Sequence, residues 1–397
     1  MAARARGTRR AFVVVIDACG VGALPDAADY GDEGTNTLAH LAEAAGGLQL
    51  PALGSLGLGS ILPLAGVPPA ARPATHGRLH ALGPGKDSIS GHWELMGVVL
   101  DRPLPVYPDG FPDALIDRLT HAVGRSVICN RPDNGLAAIA EFGEEHLRSG
   151  SLILYTSQDS VLQLAAHEQQ MSPRALYEVC VAARETMTGE DAVGRVIARP
   201  FTGSPGAFRR TEGRRDFALL PPSHSYLEEL TDLGVAVHGV GKIRDLFAGV
   251  GVEHSHPGAT NAEALDSLDA LAEDLDEGLV FVNLIETDQL YGHRKDVDGF
   301  AAALRLIDQR IAALLANMRA DDLLIVTADH GVDPLHEGTD HTREHAPLLA
   351  ATGAWLRDAG APPGSRHDGP LADVGASVLR WLTGREAPEL PGSSFVG

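Results

Sequence analysis

The sequence predicts an α/β fold, a doubly wound and mostly parallel sheet interrupted by an inserted α+β domain. Three observations carry this. Several short runs of β-branched and aliphatic residues are continuous rather than alternating. Amphipathic helical patterns separate them. Two proline-rich stretches bracket the middle of the chain, where the pattern changes.

The first run is Ala11–Ile16 (AFVVVI), followed by 152–156 (LILYT), 234–239 (GVAVHG), 278–284 (GLVFVNL) and 323–328 (LLIVTA). Continuous apolar strands are those covered on both faces, as in parallel sheets. The clearest helix runs from Val297 to about Met318, with Leu304, Ile307, Ile311, Leu314 and Met318 at three- and four-residue steps. Strands alternating with such helices give a doubly wound domain. The stretches Asp101–Pro112 and Leu219–Ser223 suit linkers. They divide the chain into a core of residues 1–101 and 220–397 and an inserted domain of residues 102–219. No internal repeat is visible. The end of the chain, from Ala361, reads as loops with one short helix near Ala376–Leu382.

Composition narrows the function. The chain has 397 residues, 44% hydrophobic and 21% charged, which excludes wholesale disorder. Its formal net charge of −21 disfavours nucleic acid and anionic membrane as partners. Cys19, Cys129 and Cys180 are scattered without CxxC spacing, so neither a disulfide scaffold nor a cysteine zinc site is expected. This usage suits a cytoplasmic protein. Arg4, Arg6, Arg9 and Arg10 precede an apolar run, but that run ends at Asp17, too soon for a secretory signal. Residues 1 to about 9 read as a tail, and no stretch reaches transmembrane length.

Three of the best strands run into acids: AFVVVI into Asp17, VFVNLIE into Glu286 and Asp288, LLIVTA into Asp329 and His330. Ligands of open parallel sheets bind beyond the carboxyl ends of the strands. A single Asp there often only starts a turn, but three with histidines attached point to a metal. His293 follows Asp288 by five residues, and His341 lies in GTDHTREH. Carboxylates with imidazoles and no thiolate suit Mn²⁺ or Zn²⁺ better than Mg²⁺ or iron–sulfur chemistry. His76, His80, His238, His254 and His256 read as ordinary surface or core residues. The segment GKDSISGHWELMG (85–97) packs Lys86, Asp87, Ser88, Ser90 and His92 between glycines. It could hold a metal-activated hydroxyl or be a plain loop.

The blocks DACGVGALPDAADYGDEGTNT (17–37), GKDSISGHWELMG (85–97), YTSQDSVLQLAAHE (155–168), DQLYGHRKDVDGF (288–300) and TADHGVDP…GTDHTREHAPLL (327–349) closely resemble the bacterial phosphopentomutase family. That family is alkaline-phosphatase-like. The resemblance implies a core with an inserted cap and a pair of Mn²⁺ ions. It implies Asp17, Asp329 and His330 as ligands of one ion and Asp288, His293 and His341 as ligands of the other. It places the nucleophilic hydroxyl three residues before a Gly-His pair, at Ser88, where the family usually has Thr; Ser90 is the competitor.

In the cap, the resemblance implies Ser157 and Asp159 as contacts to ribose hydroxyls. Asp159 could instead cap a helix before VLQLAAHE. It implies Arg195, Arg209 and Lys242 as phosphate binders, although the Arg209–Arg215 stretch could be a solvated basic loop. The implied reaction interconverts α-D-ribose 1-phosphate, or its 2-deoxy analogue, with the 5-phosphate. It passes through phosphoserine and a 1,5-bisphosphate, with a sugar 1,6- or 1,5-bisphosphate as activator. Alternatives are a metal-dependent phosphatase, a phosphomutase acting on a modified pentose phosphate, or a non-catalytic metal-stabilised binding protein. Three departures from the family pattern are Glu286, Gln158 and the stretch CNRPDNGLAAIAEFG (129–143).

Overall fold

The computed structural model describes residues 9–157 and 159–396; residues 1–8 of the tail expected at 1 to about 9, and the departure at Gln158, lie outside them. In chain order the strands are β1 (Arg10–Ile16), β2 (Thr75–His80), β3 (Val127–Pro132), β4 (Leu152–Thr156), β5 (Val161–His167), β6 (Arg195–Thr202), β7 (Arg209–Arg210) and β8 (Arg215–Ala218). They continue with β9 (Val237–Val240), β10 (His254–His256), β11 (Gly278–Leu284), β12 (Asp322–Thr327), β13 (Ala346–Thr352) and β14 (Gly369–Pro370).

The chain forms two compact units, one of residues up to Pro103 with those from Pro221 onward, the other of Leu104–Leu220. The first unit is a doubly wound α/β domain. Its sheet has the order β10-β9-β11-β1-β12-β13-β2-β14. The pairings of β1 with β11 and β12, of β9 with β10 and β11, and of β2 with β14 are parallel; β13 runs antiparallel to β12 and β2. Every residue of β1, β11 and β12 is buried, as continuous apolar strands require when helices cover both faces. The strand ends are level: Ile16 pairs with Leu284, and Val15 with Thr327. The turns after all three therefore open on one edge.

The long helix spans Val297–Asn317, with Leu304, Ile307, Ile311 and Leu314 inward and Asp296 capping its start through Gly299 N. Two boundaries differ from the sequence reading. The run 234–239 becomes a strand only at Val237, because Gly234 takes a left-handed φ of 75° in the turn before it. The C-terminal helix begins at Asp373 rather than Ala376, its first-turn carboxylate holding His367 Nε2 at 2.7 Å and Ser393 N at 2.5 Å.

The second unit carries a sheet of order β3-β4-β5-β6-β7, with β8 also on β6. One face packs Leu152, Leu154, Val196 and Ala198 against Leu176 and Cys180 of the helix Pro173–Thr186. The other packs Ile153, Tyr155 and Phe201 against Ala138 and Ile139 of the helix Gly135–Ser149. Val161–His167 is a strand, not the helix that would let Asp159 act as its cap. Among the described residues no helix is long and apolar enough to cross a membrane.

Arg10 is the first residue of β1. It is 1% exposed and grips Asp322 with two bonds, Nε to Oδ1 at 2.8 Å and Nη2 to Oδ2 at 2.6 Å. Its Nη1 donates to the carbonyls of Ala272 and Leu275. Breaking a buried pair leaves an uncompensated charge. Arg10→Ala is expected to lower unfolding stability by about 3–5 kcal/mol in urea titration. Arg10→Met with Asp322→Leu should recover most of that loss.

Candidate metal centre

Asp17 follows β1 directly. Asp329 and His330 follow β12 after Ala328. Asp288 lies after β11 on a π-helical turn, Thr287–Gly292, which ends at His293. Such turns are uncommon and gather at functional sites. One ligand atom each from Asp17, Asp329 and His330 lie within 4.8 Å of one another, and the same holds for Asp288, His293 and His341. The two groups adjoin through His341, whose ring centroid is 4.1 Å from that of His330 and 4.8 Å from that of His293.

The imidazoles are oriented from behind. His330 Nδ1 is 3.2 Å from Gly331 O, and His293 Nδ1 is 2.6 Å from Thr339 O. A carbonyl only accepts, so Nδ1 carries the proton and Nε2 offers its lone pair forward. His330 Nε2 lies 3.5 Å from Asp17 Oδ1 and 3.3 Å from Asp329 Oδ2. His293 and His341 Nε2 lie 3.3 and 3.4 Å from Asp288 Oδ1. Yet Asp329 Oδ2 and Asp288 Oδ1, both buried, accept no hydrogen bond. Atoms spaced so, converging without bonding one another, match the edges of a coordination shell with bonds of about 2.1 Å.

The electrostatics agree. Burial, then Asp329, then Asp288 push the Asp17 carboxyl well above its usual range. Burial acts to raise Asp288 too, but His341 and His293 outweigh it and hold it well below. At Asp329 burial is likewise outweighed, by His330 and His92. Three carboxylates are crowded at one place, and divalent cations would supply positive charge there. The donor set therefore fits two metal ions.

Ser88 opens the helix Ser88–Leu95, whose cap is Asp87. Its Oγ is 3.1 Å from His330 Nε2 and 3.5 Å from Asp17 Oδ1. Ser90, the competitor, is turned away: its Oγ bonds Asp87 O at 3.0 Å and Asp87 Oδ2 at 2.8 Å in a capping box. Gly91 lets the helix reach the end of β12, since a Cβ there would lie 2.6 Å from Asp329 O. Lys86 is bonded to Asp32 at 2.9 Å, and Arg343 Nη1 holds Gly85 O at 2.7 Å. Glu286 stays outside both groups; it accepts from Asn261 N at 2.9 Å.

The chain matches the metalloenzyme superfamily over residues 9–384. Phosphopentomutases from Acetivibrio thermocellus, Herpetosiphon aurantiacus and Carboxydothermus hydrogenoformans are 44%, 46% and 47% identical to it. Each alignment covers 98% of this chain and 98–99% of the relative. The chain belongs to the phosphopentomutase family. It is an isomerase of the phosphomutase kind.

Of the other family-implied positions, Lys242 lies in the first unit and donates to Gln289 Oε1 at 3.3 Å, next to Asp288. In the second unit, Ser157 Oγ accepts from Asp159 N at 3.3 Å. Arg195 lies 3.5 Å from Asp159 Oδ2 and 3.7 Å from Asp216 Oδ2. Arg209 does not share this face. It pairs across the strands with Thr202, whereas Arg210 pairs with Phe201. Cross-strand partners point the same way and residues two apart share a face. The arginine on the side of Arg195, Arg199 and Phe201 is therefore Arg210. His92 was singled out only as part of its segment, without a role, and Asn283 was missed; the lone polar residue inside the apolar run GLVFVNL was the available signal for it.

The raised Asp17 carboxyl has a measurable sign. Its ionised form is penalised in the folded, metal-free protein, so that penalty grows as pH rises through the folded value and is absent below the unfolded one. In EDTA, Asp17→Asn should melt at a higher temperature than the parent, with a gain that is absent in acid and increases as pH rises above the ordinary carboxylate range. Excess Mn²⁺ should reverse the order.

Proposed function

We propose that the chain interconverts α-D-ribose 1-phosphate, or the 2-deoxy sugar, with the 5-phosphate, using Ser88 as the phosphoryl carrier. The observation that carries this reading is the Ser88 hydroxyl at a helix start, 3.1 Å from His330 Nε2 and 3.5 Å from Asp17 Oδ1. Phosphopentomutase relatives over nearly the whole chain support the pentose phosphate substrate.

Asp17, Asp329 and His330 would hold one Mn²⁺ and Asp288, His293 and His341 the other. When bound, the pair would neutralise charge on the transferring phosphoryl group and make the Ser88 hydroxyl more acidic. The resting enzyme carries phospho-Ser88, primed by a sugar 1,6- or 1,5-bisphosphate. Ser88 gives its phosphoryl group to the free hydroxyl of the sugar phosphate, forming a 1,5-bisphosphate, and takes back the other phosphate. The helix start at Ser88 favours negative charge on the serine oxygen. Ser157 and Asp159 contact the ribose hydroxyls; Arg195 and Lys242 hold phosphate, with Arg210 in the role first given to Arg209. The thiols Cys19, Cys129 and Cys180 are free, which suits the reducing cytoplasm.

In a coupled assay with Mn²⁺, ribose 1-phosphate should form from ribose 5-phosphate faster than inorganic phosphate appears. Phosphate release dominating would instead favour a phosphatase. Ser88→Ala should lose at least about 10³-fold in mutase activity while still binding Mn²⁺. Arg210→Ala should raise KM for ribose 5-phosphate about tenfold or more, the worth of a charge-assisted bond. Arg209→Ala should change it by less than about twofold, as an exposed charge does.

A further inference from the structure

One buried side chain beside Ser88 belongs to neither ligand group. His92 is 0% exposed and lies one helical turn after Ser88. Its Nδ1 is 2.8 Å from Ser88 O and 3.1 Å from Asp329 Oδ2. Its Nε2 is 3.2 Å from Asn283 Nδ2, and that same Nδ2 donates to Asp17 Oδ2 at 2.8 Å.

The partners fix the hydrogens. Ser88 O only accepts, so Nδ1 carries the proton. Asn283 must turn its NH₂ toward the Asp17 carboxylate, so the bare Nε2 of His92 accepts the second amide hydrogen. This orientation leaves Asn283 Oδ1 buried without a donor. An asparagine serving packing alone would have no reason to keep an unpaired acceptor. The result is a continuous path from the backbone of Ser88, through imidazole and amide, to Asp17, with Asp329 alongside.

We propose that His92, backed by Asn283, is a positioning residue that sets Asp17, Asp329 and the backbone of Ser88 in register to receive one cation. The inference rests on the reading of Asp17, Asp329 and His330 as a ligand set. It gives the Gly-His pair two separate tasks: Gly91 permits the helix to touch β12, and His92 fastens what that contact brings together. The remaining group, Asp288, His293 and His341, receives none of these bonds, so the effect should be confined to one ion.

The test is Mn²⁺ titration of the full chain by calorimetry, with thermal melting alongside. His92→Phe keeps the ring volume and removes both bonds. It should weaken one of the two Mn²⁺ sites by about 10–100-fold and leave the other unchanged, as loss of an outer partner does. His92→Asn, whose amide nitrogen falls near the position of Nδ1, should recover most of that affinity; His92→Gln, which reaches toward Nε2, should recover less. Wild-type affinity in His92→Phe, with Asp329→Ala impaired, would overturn the positioning role alone. Wild-type affinity in Asp329→Ala would bring down the ligand reading and this inference with it. Should His92→Phe not fold, equal affinities in the Asn and Gln variants would overturn the proposal, and a tighter Asn variant would uphold it.

Discussion

Three buried carboxylates at one sheet edge are the constraint on which this molecule turns. Asp17, Asp288 and Asp329 cannot all stay ionised out of water unless positive charge reaches them. The upward push on Asp17 by burial and by its two neighbours is that conflict at one atom. A fold seeking only stability would place apolar groups there. This one spends a level set of strand ends, two carbonyl-oriented imidazoles and an asparagine with an unpaired oxygen on keeping the carboxylates exposed to one another.

The surroundings follow from the same constraint. The helix Ser88–Leu95 must approach closely enough for a seryl oxygen to lie among the ligands, which only glycine at position 91 permits. The loop before it must hold its place, and Lys86 on Asp32 with Arg343 on Gly85 O provide that. These cations neutralise a neighbouring acid and anchor backbone; they do not compete with metal for the three carboxylates. Arg10 and Asp322, at the opposite end of β1 and β12, show the contrast: there a buried carboxylate is given a guanidinium outright.

Much of this was legible in the sequence, for definable reasons. Strands covered on both faces leave an uninterrupted apolar signature, and an acid immediately after such a run is placed at the sheet edge by the topology alone. Thus Asp17, Asp288, Asp329 and His330 could be grouped before any coordinates. What the sequence hid depends on parity, pairing or a single backbone turn. Arg209 and Arg210 are adjacent letters on opposite faces, and only the β6–β7 register separates them. The pairing of Arg10 with Asp322 could not be read because the two are 312 residues apart. The alternative reading of Asp159, as the cap of a helix before VLQLAAHE, fails because β6 and β4 draw that segment into a sheet. The choice between Ser88 and Ser90 required the capping box, a feature of orientation rather than of spacing.

The second unit carries the opposite electrostatic deficit. Burial and then Arg214 depress the Arg199 guanidinium, and Arg210 adds to the effect. Asp216 is held low although burial opposes it, because Arg214, Arg195 and Arg199 surround it. Arg195, Arg199, Arg210 and Arg214 thus gather around Asp216, with Asp159 beside Arg195, in a chain whose net charge of −21 repels anions in general. A phosphate group satisfies guanidiniums in that setting as a divalent cation satisfies the three aspartates. The two units thus carry opposite electrostatic characters, an acidic cluster in the first and a guanidinium-rich one in the second. Exposed charges are screened within about 8 Å at physiological salt, so the buried carboxylates of the first unit feel one another more strongly than the half-exposed guanidiniums of the second do.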